Sequence, residues 1–416
     1  MIFVISCEKD PEIIKDDNGV IISQPWLWRT NLTESSLIGA IVSGPAWYDG
    51  QVLMGAMDEN NIAYLACLDI QNGKIIWKQD YIKQYDFFSF QDFYKYDNII
   101  VQRDGTNLFC IDLKNGEYLW KQKMEGNAWR WPSGLDSLFF VFSVEPYPEY
   151  GYPVMSANFG SIKDGNTHLF LIPDLGDLPV PDLSREDFIG GFRYIKPFYD
   201  ENTHKILLLC YYEKFYYLVN SETQVSQSYV GLYNFSKREW IYERKELGDH
   251  NFLEGLTPQV IGDRFYHTLG NGLAECRNLY TGELVWRKKW EGGFFSPIGF
   301  IIVDNKMIVM ENNGRQLIAI DIVNGNILWH ETSAPTISPM VTLNGVVYYA
   351  SSADGRIHAV DIETGKHLWR LISPDAKNNE SDFFMRQCMA VPDKNGGKGK
   401  IIVSSYSHGY CYEAAN

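Results

Sequence analysis

The chain has 416 residues, a formal net charge of −15 and a pI near 5.0. Apolar residues make up 45% and charged residues 21%, an ordinary globular balance, and no internal stretch reaches the ~18 apolar residues of a membrane span. An acidic surface repels phosphate backbones, so nucleic acid is not an expected partner.

The N-terminus reads Met1-Ile2-Phe3-Val4-Ile5-Ser6-Cys7-Glu8-Lys9-Asp10. An apolar run, a small residue and a cysteine followed by polar residues resembles the lipobox that ends a bacterial lipoprotein signal peptide. That resemblance implies a lipid anchor at Cys7 and places the chain in the periplasm or at the outer membrane. The run is shorter than an ordinary signal and lacks a basic start, and the other reading is a plain apolar beginning. Residues 1–24 are therefore set apart as signal remnant and linker.

Next, Pro25-Trp26-Leu27-Trp28-Arg29 reads as a return strand with no strand before it. Residues 67–77 then read Cys-Leu-Asp-Ile-Gln-Asn-Gly-Lys-Ile-Ile-Trp, and residues 110–120 read Cys-Ile-Asp-Leu-Lys-Asn-Gly-Glu-Tyr-Leu-Trp. The same gapless pattern, small-x-(Asp/Asn)-x-x-(Asn/Thr)-Gly-x-x-x-Trp, returns at 276–286, 319–329 and 359–369. An apolar run before the acid is a strand, and Asn-Gly or Thr-Gly suits a hairpin turn whose Gly takes a positive φ. A second strand pair lies upstream, as at Met340–Leu343 and Val346–Ala350 around Asn344-Gly345. The Trp steps are 43 residues from Trp77 to Trp120, 43 from Trp286 to Trp329 and 40 from Trp329 to Trp369. Four short strands every ~40–45 residues are a propeller blade.

Weaker copies complete the count. Residues 232–242 place Asn234 in the acid slot, Arg238 in the glycine slot and Tyr242 in the Trp slot. A degenerate third copy is expected to end near Leu169–Leu175, with Glu145–Asn166 as its insertion. The chain finishes with Tyr410-Cys411-Tyr412-Glu413, a strand awaiting its return partner, which the strand at Trp28 supplies. The expected fold is all-β: a single eight-bladed propeller over residues 25–416, closed by the N-terminal strand.

The intact Ala359–Trp369 motif resembles the repeat of the quinoprotein (PQQ-like) β-propeller family, over about Trp26 to Glu413. That family holds quinone-dependent dehydrogenases and non-catalytic scaffolds, among them lipoproteins of the outer-membrane β-barrel assembly machinery, which this chain resembles most. The resemblance implies that Trp28, Trp77, Trp120, Tyr242, Trp286, Trp329 and Trp369 dock neighbouring blades. The enzymes typically stack the quinone on a disulfide between adjacent cysteines, and no Cys-Cys pair occurs here.

Cys67, Cys110, Cys276 and Cys411 occupy the small-residue slot and read as buried packers. None of the eight His sits at zinc-ligand spacing. Asp393-Lys394-Asn395-Gly396-Gly397 has a faint likeness to a calcium loop, but its lysines and missing closing Glu favour a plain turn. No catalytic residue, cofactor or metal is expected. Candidate binding residues lie in irregular segments. Trp129, Arg130 and Trp131 would stack on a sugar or anchor a peptide, or else pack under the third repeat. Tyr147, Tyr150 and Tyr152 form an aromatic loop that contacts a partner or lids the ring. Phe383-Phe384-Met385-Arg386 reads as core. The expected role is a non-enzymatic, lipid-anchored, monomeric scaffold that contacts an envelope protein, or a glycan or peptide, through loops on one face. The alternative is a propeller enzyme or glycan-binding protein with a site in the central funnel.

Overall fold

A computed structural model describes residues 12–32, 46–58, 60, 63–80, 94–104, 107–123, 132–147, 152–172, 189–217, 224–248, 258–291, 293–313, 315–335, 338–351, 353–377, 383–384 and 388–415. Cys7, Trp129, Arg130, Trp131 and Tyr150 lie outside them. The described residues fall into two compact units, one within residues 1–83 and 329–416, the other within 91–328.

The fold is all-β, and nearly all strand pairs are antiparallel. β1 (Ile14–Lys15) and β2 (Ile21–Ser23) form a small hairpin, and β3 (Trp28–Asn31) follows. β4 (Ala46–Tyr48), β5 (Gln51–Met57), β6 (Ala63–Asp69) and β7 (Ile75–Asp80) make the first four-stranded meander. β8 (Tyr94–Tyr96), β9 (Ile99–Asp104), β10 (Asn107–Asp112) and β11 (Tyr118–Lys123) make the next. β12 (Ser133–Leu135), β13 (Leu138–Tyr147), β14 (Tyr152–Ser161) and β15 (Thr167–Leu171) share a sheet with β16 (Ile189–Asp200), β17 (Lys205–Tyr217), β18 (Gln224–Asn234) and β19 (Glu239–Gly248). β20 (Gln259–Ile261), β21 (Arg264–Leu269), β22 (Leu273–Asn278) and β23 (Leu284–Lys289) form another meander. So do β24 (Phe295–Val303), β25 (Lys306–Glu311), β26 (Gln316–Asp321) and β27 (Ile327–Thr332). β28 (Val341–Leu343), β29 (Val346–Ser351), β30 (Arg356–Asp361) and β31 (His367–Ile372) carry β2 on their outer edge, parallel to β31 at Ile21 and Trp369. Residues 14–23, grouped above with the linker, thus add two strands to this sheet. β32 (Met389–Val391), β33 (Lys400–Ser404) and β34 (His408–Glu413) are completed by β3, with Trp28 opposite Cys411.

Burial follows position within each meander. The second and third strands are covered on both faces, so β25 and β26 read as continuous apolar runs (Lys-Met-Ile-Val-Met-Glu and Gln-Leu-Ile-Ala-Ile-Asp). The outermost strand alternates half-buried and exposed residues, as in β7 and β11.

The third repeat corrects one expectation. Glu145–Asn166 is not an insertion: its described residues belong to the long strands β13 and β14 or to the repeat's own turn, Ser161-Ile162-Lys163-Asp164-Gly165, and its end. Phe159 fills the small slot and Leu169 the Trp slot, and Leu169 lies exposed. The chain is longer here because strands of 10 to 13 residues replace the usual six. A single parallel pairing of Met155 with Gly191 joins β14 to β16 and makes one eight-stranded sheet. Gly191 has φ 123, and a Cβ there would strike the Met155 carbonyl, so only glycine permits the join.

Arg238 holds the glycine slot of the β18–β19 turn at φ 57, a left-handed conformation unfavourable to a residue with a side chain. Arg238→Gly is expected to raise stability by roughly 0.5–1 kcal/mol, the relief of strain exceeding the added unfolded-state freedom. The urea midpoint checks this, and a lowered midpoint would show that the arginine side chain contributes more than its backbone costs.

Candidate functional site

The residues shared by the repeats are used on one another. The acid of each motif is the acceptor of a local turn: Asp69 Oδ1 accepts from the backbone N–H of Gln71 at 2.8 Å, and Asp321 Oδ1 from that of Val323 at 2.7 Å. The motif glycine returns its N–H to the same residue's carbonyl, as Gly325 does to Asp321 at 2.8 Å. Onto this glycine comes the Trp of the preceding repeat. Trp286 Nε1 donates to the Ile322 carbonyl at 2.8 Å, and a Cβ on Gly325 would lie 2.9 Å from the Trp286 ring. Trp28 is seated in the same way on Ile70 and Gly73, Trp120 on Ile162 and Gly165, and Trp329 on Ile362 and Gly365. The glycine therefore serves twice, at a positive φ of 75 for Gly325 and as the floor of an indole seat.

The small slot has a matching cause. Cys67, Cys110, Cys276, Ala359 and Cys411 stand directly opposite Trp77, Trp120, Trp286, Trp369 and Trp28 in the strand ladders. A bulky residue would collide with the indole. Where the aromatic shrinks to Tyr242, its opposite residue grows to Leu232. Tyr242 rests against Gly282 but its hydroxyl is buried without a partner, since it cannot make the indole's bond. All six described cysteines are buried and unbridged. Burial pushes the thiols of Cys67, Cys110, Cys388 and Cys411 up to about 12, which keeps them protonated and unreactive.

Of the candidate binding residues, Tyr147 and Tyr152 stand opposite each other in the backbone register of β13 and β14. Phe384 is fully buried against Tyr410 and Tyr412. Asp393 to Gly397 form a turn in which Asp393 Oδ1 accepts the Asn395 N–H at 2.8 Å, and among the described residues no acidic cluster is arranged to hold a metal.

A buried polar network lies on β17, β21, β22 and β23. Glu275, fully buried, meets His267 Nε2 at 3.2 Å, Arg277 Nε at 2.8 Å and Arg287 Nε at 2.6 Å. An ionised carboxylate only accepts, so His267 carries its proton on Nε2, and its Nδ1 accepts from the Tyr211 hydroxyl at 3.0 Å. Arg277 also donates to the carbonyls of Gly282 and Glu246. Burial opposes ionisation of Glu275, yet His267 and Arg277 hold its carboxyl well below the usual carboxylate range. Burial pulls His267 below its ordinary value. Each of these groups bonds to another of them or to backbone; Glu275, His267 and Tyr211 are enclosed, while the Arg287 side chain, 42% exposed, reaches solvent.

A concave site lies elsewhere among the described residues. A cleft of about 430 Å³ lies where three hairpin turns and a strand end meet: Gly50 between β4 and β5, Ile70 and Gln71 between β6 and β7, Pro392 to Gly399 between β32 and β33, and Glu413 closing β34. Ile70 and Val391 line it with apolar surface, and exposed Leu27 stands at its edge. Lys394, Lys398 and Lys400 supply its charge. Lys398 Nζ pairs with Glu413 at 2.9 Å, and Lys400 Nζ donates to Gln71 Oε1 at 2.5 Å. The turn is held from behind: the Lys398 carbonyl accepts from Asn344 Nδ2 at 2.8 Å, and the Gly399 carbonyl from the Ala414 N–H at 3.1 Å. Sequence reasoning missed the cleft, although three lysines within seven residues of an acidic chain were the available signal.

A family model described as the outer membrane protein assembly factor BamB matches residues 18–122 and 226–416. The assembly factor BamB of Kangiella koreensis is 31% identical over 145 residues, 32% of this chain and 35% of that protein. That of Bordetella pertussis is 25% identical over 156 residues, 36% of this chain and 39% of that protein. The chain thus spans little more than a third of the curated relatives it matches. The crystal structure of BamB from Moraxella catarrhalis resembles 92% of this chain and 97% of that one, with a TM-score of 0.55 at 11% identity. A quinohemoprotein alcohol dehydrogenase from Pseudomonas putida resembles 94% of this chain and 77% of that one, with a TM-score of 0.60 at 13% identity. At such identities the solved structures speak to the fold alone.

Proposed function

The chain belongs to the family of the outer membrane protein assembly factor BamB, and from that membership we propose that it is a non-catalytic scaffold of the bacterial cell envelope that binds a protein partner. In this reading residues 25–416 form one eight-bladed propeller of four-stranded blades, with β3 completing the last blade and closing the ring. Cys7 carries a lipid that holds the protein on the periplasmic side of the outer membrane.

The observation that carries the proposal is the Trp–Gly seating. The repeat residues are engaged in packing and the Glu275 network in hydrogen bonds, so the turns are read as the working surface. The cleft lies among such turns. Trp129, Arg130, Trp131, Tyr147, Tyr150 and Tyr152 are proposed as further contacts; all fall between residues 123 and 225, which the family model does not match. Contacts there would be particular to this chain rather than general to the family.

Photo-crosslinking in a Gram-negative host tests the reading. A photoreactive residue at Lys394 or Tyr150 is expected to form adducts with outer-membrane assembly proteins, and intact mass is expected to show an acylated N-terminus at Cys7. Adducts only with cytoplasmic proteins, together with an unmodified Cys7, would overturn it.

A further inference from the structure

We propose that the lysine-lined cleft binds an acidic peptide segment carrying one apolar anchor side chain. The inference deepens the scaffold reading and rests on it, because it names the chemistry of a partner that reading leaves open.

Three features point to such a ligand. First, the chain carries a net charge of −15, yet three lysines converge on this cleft. Set against the lining's two carboxylates, Asp393 and Glu413, they leave a net charge of +1, opposite in sign to that of the whole molecule, which would draw an acidic segment to this spot. Second, one of the two carboxylates is matched by a cation: Glu413 is paired with Lys398, while Asp393 accepts the N–H of its own turn. Lys394 is exposed and has no hydrogen-bond or ion-pair partner among the described residues. Third, the turn is rigidly presented. Its carbonyls are tied to Asn344 and Ala414, and Gly399 at φ 79 lies so close to the Val391 carbonyl that a Cβ would sit 2.6 Å from it. A fixed turn loses less backbone freedom on binding than a mobile one.

The lining decides between ligand classes. A membrane of anionic headgroups would need cations spread over a convex face. Here they rim a concavity whose inner surface is Ile70 and Val391, with Leu27 beside it. The volume of about 430 Å³ suits a few side chains. An apolar side chain would occupy that inner surface, while flanking carboxylates meet Lys394 and Lys400 and compete with Glu413 for Lys398.

The probe is a capped, fluorescein-labelled peptide of Asp and Glu residues around one central Leu, titrated against the full chain and followed by fluorescence anisotropy. Binding is expected to weaken roughly tenfold for the double variant Lys394→Glu and Lys398→Glu, and by a similar factor between about 50 and 300 mM salt. The peptide with Asn and Gln in place of its acids is expected to bind at least about tenfold more weakly. Glu413→Gln releases Lys398 and is expected to tighten binding about threefold, an effect that loss of structure would not produce. Equal binding of the uncharged peptide overturns the proposal. So does capture by vesicles of phosphatidylglycerol and phosphatidylethanolamine without peptide binding. Loss of peptide binding while envelope crosslinks persist overturns the cleft alone. Peptide binding without envelope crosslinks overturns the scaffold reading instead.

Discussion

Trp286→Ala is expected to lower the free energy of unfolding by about 3–5 kcal/mol, the usual cost of truncating a buried tryptophan. Trp286 is 8% exposed, packs with Tyr266, and donates its indole N–H to the Ile322 carbonyl. Alanine would empty the seat above Gly325 and leave that carbonyl without its donor. Trp286→Phe keeps most of the ring and removes the hydrogen bond, so a smaller loss of about 1–2 kcal/mol is expected. Gly325→Ala attacks the seat from the other side, since the new Cβ meets the ring at 2.9 Å on a backbone at φ 75. The two alanine variants share one contact, so their combined effect should fall short of the sum. Urea unfolding checks all three. Additive losses would mean that the indole and the glycine are not a single seat.

Glu275→Ala is expected to cost a similar amount, about 3–5 kcal/mol, because it leaves Arg277 and His267 buried without their common acceptor. The wild-type network should also give stability a stepwise acid dependence. His267 is held below its ordinary value of 6.5, so acidification protonates the unfolded state first, and stability begins to fall below about pH 6.5. Glu275 is held below its ordinary value of 4.5, so its contribution is complete above that pH and is lost progressively below it. Both shifts act in the same direction. Glu275→Gln, which keeps the shape but not the charge, should flatten the loss of stability below about pH 4.5 relative to wild type. Parallel stability curves for the two proteins would show that Glu275 does not carry the charge in the folded state.

The repeat was legible because its logic is local. Asp321 to Gly325 is a hairpin turn whose residues announce themselves within eleven positions, and Trp286, Trp329 and Trp369 mark the outer strand of each meander. The third repeat was misread because both diagnostic positions had changed: Leu169 replaces the tryptophan and Phe159 the small residue. Long strands then resembled an insertion. What survived there was Gly165, which still seats Trp120.

The buried network was illegible for a different reason. His267 and Glu275 face each other across a strand pair, while Tyr211 comes from 56 residues away. The one available sign was parity: Leu273, Glu275 and Arg277 share a face of β22, so two charges sit where the strand should be apolar. The cleft was hidden because residues 50, 70, 71, 392–400 and 413 meet only after folding. The Trp129 and Tyr147 segments stood out by composition, which identifies loops but not what they contact.

The pairing of β3 with β34 joins segments far apart in the sequence: Trp28 stands opposite Cys411, 383 residues further on. Closing a loop of that length costs about 5 kcal/mol of chain entropy before any ladder bond forms. The ladder of β3 with β34 is therefore expected to form later than the hairpins inside each meander, whose loops are short. Until that moment the partner edges of β3 and β34 stay open.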